Sequence, residues 1–174
     1  MKIIRQSLYY IILLVICLVG VALPVSGLSK TQEAAIVDHC VAIKENLRIV
    51  QRNDARARVY LGGKYETILN KYVTPLNVRL VENNLSAVNL IESQNGLASS
   101  KAKFADDYVE YQQRLEELVA MDCKDNPSEF YGKLESVRQK RKKVEQDVQK
   151  MRSGLNDYLN MVGKVKETIN AKTK

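Results

Sequence analysis

The side chains able to do chemistry are few and poorly grouped. His39 is the single histidine, and the cysteines are Cys17, Cys40 and Cys123. His39 beside Cys40 invites a reading as a Cys-His nucleophile pair. Adjacent residues on a helix point about 100° apart, so the imidazole cannot align with the thiol. A lone histidine also excludes a histidine cluster for a metal. The acidic pairs Asp106-Asp107 and Glu116-Glu117 read as solvated helix faces, and Gly62-Gly63 lacks the flanking pattern of a phosphate loop. Asn84-Leu85-Ser86 matches a glycosylation sequon but falls inside an expected helix. No catalytic residue, metal ligand or cofactor site is assigned, and no enzyme activity is expected.

The cysteines have a second chemistry, which depends on compartment. Lys2 and Arg5 precede an apolar run from Leu8 to Leu23, Pro24 breaks it, and Val25-Ser26-Gly27 offers small residues. A basic start, apolar middle and small-residue exit form the pattern of a secretory signal. The run is slightly shorter than the roughly 20 residues that span a bilayer. Residues 1–27 are therefore read as a cleaved signal peptide or an uncleaved signal anchor, with membrane contact only through 8–23 if uncleaved. Either way residues 28–174 lie outside the cytoplasm: secreted, periplasmic or on the cell surface. Removal of Cys17 leaves Cys40 and Cys123, an even pair in an oxidising compartment, which predicts a disulfide.

The elements that must bring these cysteines together are helices. Only three Pro and eight Gly punctuate the chain. An unbroken 4-3 heptad runs through Phe130, Leu134, Val137, Arg141, Val144, Val148, Met151, Leu155, Tyr158, Val162, Val165 and Ile169. Such a repeat keeps one stripe against a partner helix, and forty residues make a rod of roughly 60 Å. The predicted fold is all-α: one elongated antiparallel bundle or coiled coil of four helices, at about 30–52, 54–94, 97–122 and 128–171. Pro75 is expected to disturb the second, and Ser128 to cap the fourth. The turn signals are Asn95-Gly96, the stretch 123–128, and either Asn53-Asp54 or Gly62-Gly63. If each turn mirrors helix height, a turn at Asn53-Asp54 brings Cys40 level with Cys123. A turn at Gly62-Gly63 separates them by about 25 Å, too far for a bond. The reading therefore takes Asn53-Asp54.

Charge is segregated. Residues 97–129 carry four basic and eight acidic groups, and residues 130–174 carry twelve basic and five acidic ones. The densest basic run, Arg138, Lys140, Arg141, Lys142 and Lys143, could meet an anionic envelope polymer. It reads better as a solvated face opposite the acidic third helix. No aromatic residue interleaves with it as a stacking platform would require, so nucleic acid is not expected. Arg141 occupies a seam position and is expected to set register or meet Glu116 or Glu117. With a turn at Asn95-Gly96 the last helix outruns its neighbours. Tyr158, Val162, Val165 and Ile169 are then expected to lack an internal partner and to offer a seam for self-association or docking.

The signal segment, Asn53-Asp54 before Arg58-Val59, Tyr65-Glu66-Thr67-Ile68, Leu76-Asn77-Val78-Arg79-Leu80, Tyr108-Val109-Glu110-Tyr111, Asp122-Cys123-Lys124 and Arg138-Gln139-Lys140-Arg141 together resemble a loose group of proteins. These are small, secreted, two-cysteine helical-bundle proteins of small-genome bacteria. The resemblance covers most of the chain after the signal. It implies the fold and the compartment and brings no activity. The function expected is an extracytoplasmic structural or interaction protein, a cell-envelope coiled-coil scaffold or spacer. The alternatives are an envelope holdase similar in outline to the Skp class of chaperones, or a binder of anionic wall polymer through the basic last helix.

Overall fold

The computed structural model describes residues 28–172. The signal or anchor reading of 1–27, including the apolar run 8–23, lies outside the described residues. Among those described, no helix is long and apolar enough to cross a membrane.

Helix α1 (Lys30–Asp38) begins at a capping box. The Ser29 hydroxyl accepts from the Gln32 amide, and the Gln32 side chain accepts from the Ser29 amide. These bonds satisfy two donors that a helix start otherwise leaves free. A break at His39 leads into α2 (Cys40–Ile68), a π-turn at Leu69–Val73, and α3 (Thr74–Glu82). The π-turn is how the chain meets Pro75. Widening the turn just before the ring relieves its clash and absorbs its missing donor. Helices α4 (Val88–Ala120) and α5 (Pro127–Lys172) complete the chain. Taken as continuous rods these are four helices: α1, the α2–α3 rod, α4 and α5. They form an all-α bundle with no strand among the described residues. The 46 residues of α5 make a rod of about 69 Å.

The four helices have other boundaries than the sequence suggested. Asn53-Asp54 and Gly62-Gly63 both lie inside α2, and Asn95-Gly96 lies inside α4. The first reversal comes instead at residues 83–87. Asn84 takes a positive φ of 55°, which its short polar side chain tolerates. The Leu85 amide then reaches the Leu80 carbonyl at 2.9 Å, and the Asn84 amide reaches that of Val81 at 3.0 Å. This pair of bonds is a Schellman motif, which satisfies carbonyls that a helix end leaves open. Helix α5 is capped by Asn126 rather than Ser128. The Asn126 side chain accepts from the Glu129 amide at 3.1 Å, with Pro127 at the first helical position, where no amide is needed. Ser128 instead donates to Glu33 of α1 at 2.5 Å.

With one reversal where two were expected, the chain makes three columns: α1 through α3, then α4, then α5. Two apolar clusters fill the space between them. One gathers Cys40, Tyr108, Tyr111, Leu115, Leu118, Cys123, Phe130 and Val137. The other gathers Leu69, Val73, Leu80, Ala87, Leu90, Leu97 and Tyr158. Within the first, Cys40 and Cys123 stand at disulfide distance, with Cα atoms 5.7 Å apart. They meet because the start of α2 and the loop after α4 share one end of the bundle, not because a turn at Asn53-Asp54 levels them.

The early reversal also covers the tail of α5. The hairpin of α3 and α4 reaches farther along α5 than a turn at Asn95-Gly96 would allow. Tyr158 is buried, and Val162, Val165 and Ile169 pack partly against the second cluster. The expectation that all four lack an internal partner is therefore corrected.

Opening the bridge frees a loop of 83 residues of separation. The paired substitution Cys40→Ser with Cys123→Ser is expected to cost about 4 kcal/mol in urea unfolding. The far-ultraviolet circular dichroism of the folded protein should stay unchanged, because the bridge is not needed to form the helices.

Candidate functional site

The polar groups that the fold brings together are ties between columns. The first joins three helices at Asp54. Tyr111 of α4 donates its hydroxyl to Asp54 at 2.7 Å. Arg141 of α5 donates through Nε at 2.7 Å and Nη2 at 3.0 Å, one bond to each carboxylate oxygen. This two-pronged geometry is the strong form of a guanidinium–carboxylate pair. Burial alone would raise the Asp54 pKa, but the bonds from Arg141 and Tyr111 outweigh it and hold the carboxyl below its ordinary value. Burial and the Asp54 carboxylate push the Tyr111 hydroxyl up. Arg141 thus meets an acidic partner from its seam position, but the partner is Asp54 rather than Glu116 or Glu117. Asp54 lies inside α2 and not at a turn.

Below this tie α2 and α5 stand apart over the floor of α4. Ala57 and Leu61 face Val144 and Val148 across a cavity of about 230 Å³, with Phe104 and Tyr108 beneath. The Arg58 guanidinium lies 5.0 Å from the Tyr108 ring centroid.

The second tie is a buried amide network. Tyr158 donates its hydroxyl to Asn77 Oδ1 at 2.8 Å. Asn77 Nδ2 reaches Gln94 at 2.8 Å and the Leu90 carbonyl at 3.3 Å. Gln94 donates in turn to Thr74 at 2.9 Å. Members of α3, α4 and α5 are therefore satisfied by one another, as a buried network requires.

The third tie is ionic. Asp107 of α4 accepts from Lys103 at 2.6 Å and from Lys143 of α5 at 2.7 Å. Asp147, 3% exposed, stands beside it, and its Oδ2 has no hydrogen-bond partner. Burial opposes ionisation of Asp107, yet Lys103, Lys143 and Asp147 together hold it well below the ordinary range. Burial first, then the neighbouring Asp107, raises Asp147. The two carboxyls are thus driven in opposite directions.

Four of the five cations in the basic run of α5 form ion pairs, two of them within these ties. Lys140 pairs with Glu110 at 2.5 Å, Arg141 with Asp54, Lys143 with Asp107, and Arg138 with Glu135. Lys142 has no ion pair among the described residues. The acidic α4 faces the run, as the favoured sequence reading expects.

Around the cysteines, the sulfurs of Cys40 and Cys123 and a carboxylate oxygen of Asp122 lie within 4.8 Å of one another. A metal needs free thiolates, and the disulfide removes both. His39 lies at the junction of α1 and α2, where its carbonyl accepts from the Ile43 amide at 2.9 Å.

Several tie residues are not legible as such in the sequence: Asn53-Asp54 reads as a turn and Asp107 as a solvated face, while Asn77, Gln94, Lys103 and Asp147 carry no reading as ties. A signal did exist for Asp147, since it directly precedes the seam residue Val148. Compared with protein families, curated proteins and solved structures, the chain matches none.

Asp54→Ala leaves the Tyr111 hydroxyl and the Arg141 guanidinium without their acceptor. It is expected to destabilise by about 1–3 kcal/mol, against less than about 1 kcal/mol for Glu135→Ala at an exposed pair. The folded Asp54 pKa is depressed, so its contribution is full above the ordinary carboxylate range near 4 and is lost as pH falls. The difference between parent and Asp54→Ala should therefore shrink in acid. Asp147 has the opposite sign. Its raised pKa favours the fold at low pH, and that contribution is lost as pH rises. Asp147→Asn should therefore stabilise at pH 7 and be neutral near pH 3, read by urea titration at both values.

Proposed function

We propose that this chain is an extracytoplasmic structural or interaction protein, a rigid spacer or scaffold of the cell envelope, and that it is not an enzyme. The observation that carries this reading is the set of ties. Three columns, one about 69 Å long, are held in a single register by a disulfide and three polar ties at separate heights. A register fixed at several levels suits a protein whose product is a distance. The compartment rests on the bonded cysteine pair and on the signal-like pattern of residues 1–27. A protein partner would meet the outer faces, since the inner seams are taken up within the chain.

The holdase alternative asks for an apolar surface that opens to clients. The network at Asn77 and Tyr158 and the bridge at Cys40 work against such opening. The reading is tested in two steps. Thiol alkylation of unreduced protein taken from intact cells should leave Cys40 and Cys123 unlabelled. Full labelling of both would remove the extracytoplasmic placement. The purified oxidised protein should then fail to slow the thermal aggregation of a client enzyme at equal molar ratio. Strong suppression at that ratio would replace the spacer by a holdase.

A further inference from the structure

Outside the densest run of α5, α2 carries the next cluster of cations. Between Glu45 and Glu66 the helix carries Arg48, Arg52, Arg56, Arg58 and Lys64 against one carboxylate, Asp54. That carboxylate is already taken by Tyr111 and Arg141. Arg48 pairs with Glu45, and Arg58 lies over Tyr108 at the cavity. Arg52, Arg56 and Lys64 are exposed and have no ion pair among the described residues.

These three cations form a stripe. Residues four apart advance about 40° around a helix, so Arg52, Arg56, Tyr60 and Lys64 wind slowly along one side over about 18 Å. Val59 lies about 20° beyond Arg52 on the other side, so the face from Val59 to Lys64 spans about 140°. Val59 is 72% exposed and Tyr60 61% exposed. Gly62 and Gly63 have open space where a Cβ would stand, so no side chain holds a flat surface away. The helix packs against α4 on its other side, and the stripe faces outward.

We propose that this outer face of α2 binds an anionic lipid bilayer side-on. Arg52, Arg56 and Lys64 would meet lipid phosphates, while Val59 and Tyr60 enter the headgroup layer. Each surface cation near an anionic bilayer strengthens binding several-fold. Long basic side chains reach phosphate while their stems lie in a less polar layer. Tyrosine belongs at this boundary, with an apolar ring and a polar tip. The exposed valine decides between a bilayer and a soluble polyanion. A hydrated polymer would leave Val59 wet, whereas a bilayer removes it from water. The inference is independent of the spacer reading, since a rod can lie on a membrane whatever it holds apart.

The test uses residues 28–174, because both apolar clusters and the disulfide lie within 28–172. The oxidised protein is sedimented with vesicles of phosphatidylcholine alone or mixed with phosphatidylglycerol. Binding to the mixed vesicles only is expected, weakening with added salt. The triple variant Arg52→Gln, Arg56→Gln, Lys64→Gln should lower partition by on the order of 100-fold. Val59→Ser with Tyr60→Ser should also weaken it. A control that removes three exposed cations of α5, Lys142→Gln, Lys150→Gln and Lys166→Gln, should bind nearly as the parent does. Circular dichroism and urea midpoints show that each variant is folded. Absence of binding to the mixed vesicles overturns the proposal, as does an equal loss in the two triple variants. Tight binding of soluble polyphosphate, with no effect of the Val59 and Tyr60 substitutions, would overturn it in favour of a polymer.

Discussion

The reversal at Asn83-Asn84 sets the register on which every other contact depends. A left-handed residue at Asn84 and the two bonds of the Schellman motif stop α3 and send the chain back along it. From that point heights are fixed. Asn77 comes level with Leu90 and Gln94, Asp54 with Tyr111, and Cys40 with Cys123. A slip of one turn would move each of these by about 5.4 Å, enough to break all of them. The disulfide and the Asp54 tie therefore lock a register that the turn first selects.

Polar ties do this work because apolar packing between α2 and α5 is thin. Ala57 is small where α2 passes over α4, which leaves the cavity above Phe104 and Tyr108. Apolar contact alone would tolerate sliding there. A carboxylate that accepts one bond from α4 and two from α5 does not, since displacement leaves a partly buried charge unmatched. The same logic holds at Asn77, where the amide is satisfied only if Tyr158 and Gln94 arrive at the right height.

The legible part of the fold was the part written as periodicity and composition. The 4-3 seam of α5 marked a long helix, and Phe130, Val137, Met151 and Tyr158 from it are buried. The two cysteines remaining after residue 27 marked the bridge. The reversals were misread because local turn residues are weak against a long helix. Glycine inside a helix costs about 1 kcal/mol, which packing on either side of Gly96 offsets. Asn83-Asn84 is the turn signal that matters, and inside an expected helix Asn84 reads only as part of a sequon. Compartment and an even count name the cysteine pair, but mirrored heights pick a turn at Asn53-Asp54 that the chain does not make. One reversal precedes Cys123 where two were expected, so the pair meets at the end of the bundle.

Charge was legible as a sum and illegible as a surface. Summed along the sequence, the last helix is the most basic part, and α2 draws no notice because Asp54 and Glu66 interrupt it. Folding redistributes which of these cations are paired. The run at 138–143 lies against acidic α4 and ends in ion pairs with Glu110, Asp107 and Asp54. Asp54 is thereby removed from α2, and Glu66 turns to Lys101 of α4. Both carboxylates are thus engaged by neighbouring helices, while Arg52, Arg56 and Lys64 keep no ion pair among the described residues. Arg52 and Arg56 are left so because the tie that holds the columns together takes up Asp54, the carboxylate between them in sequence.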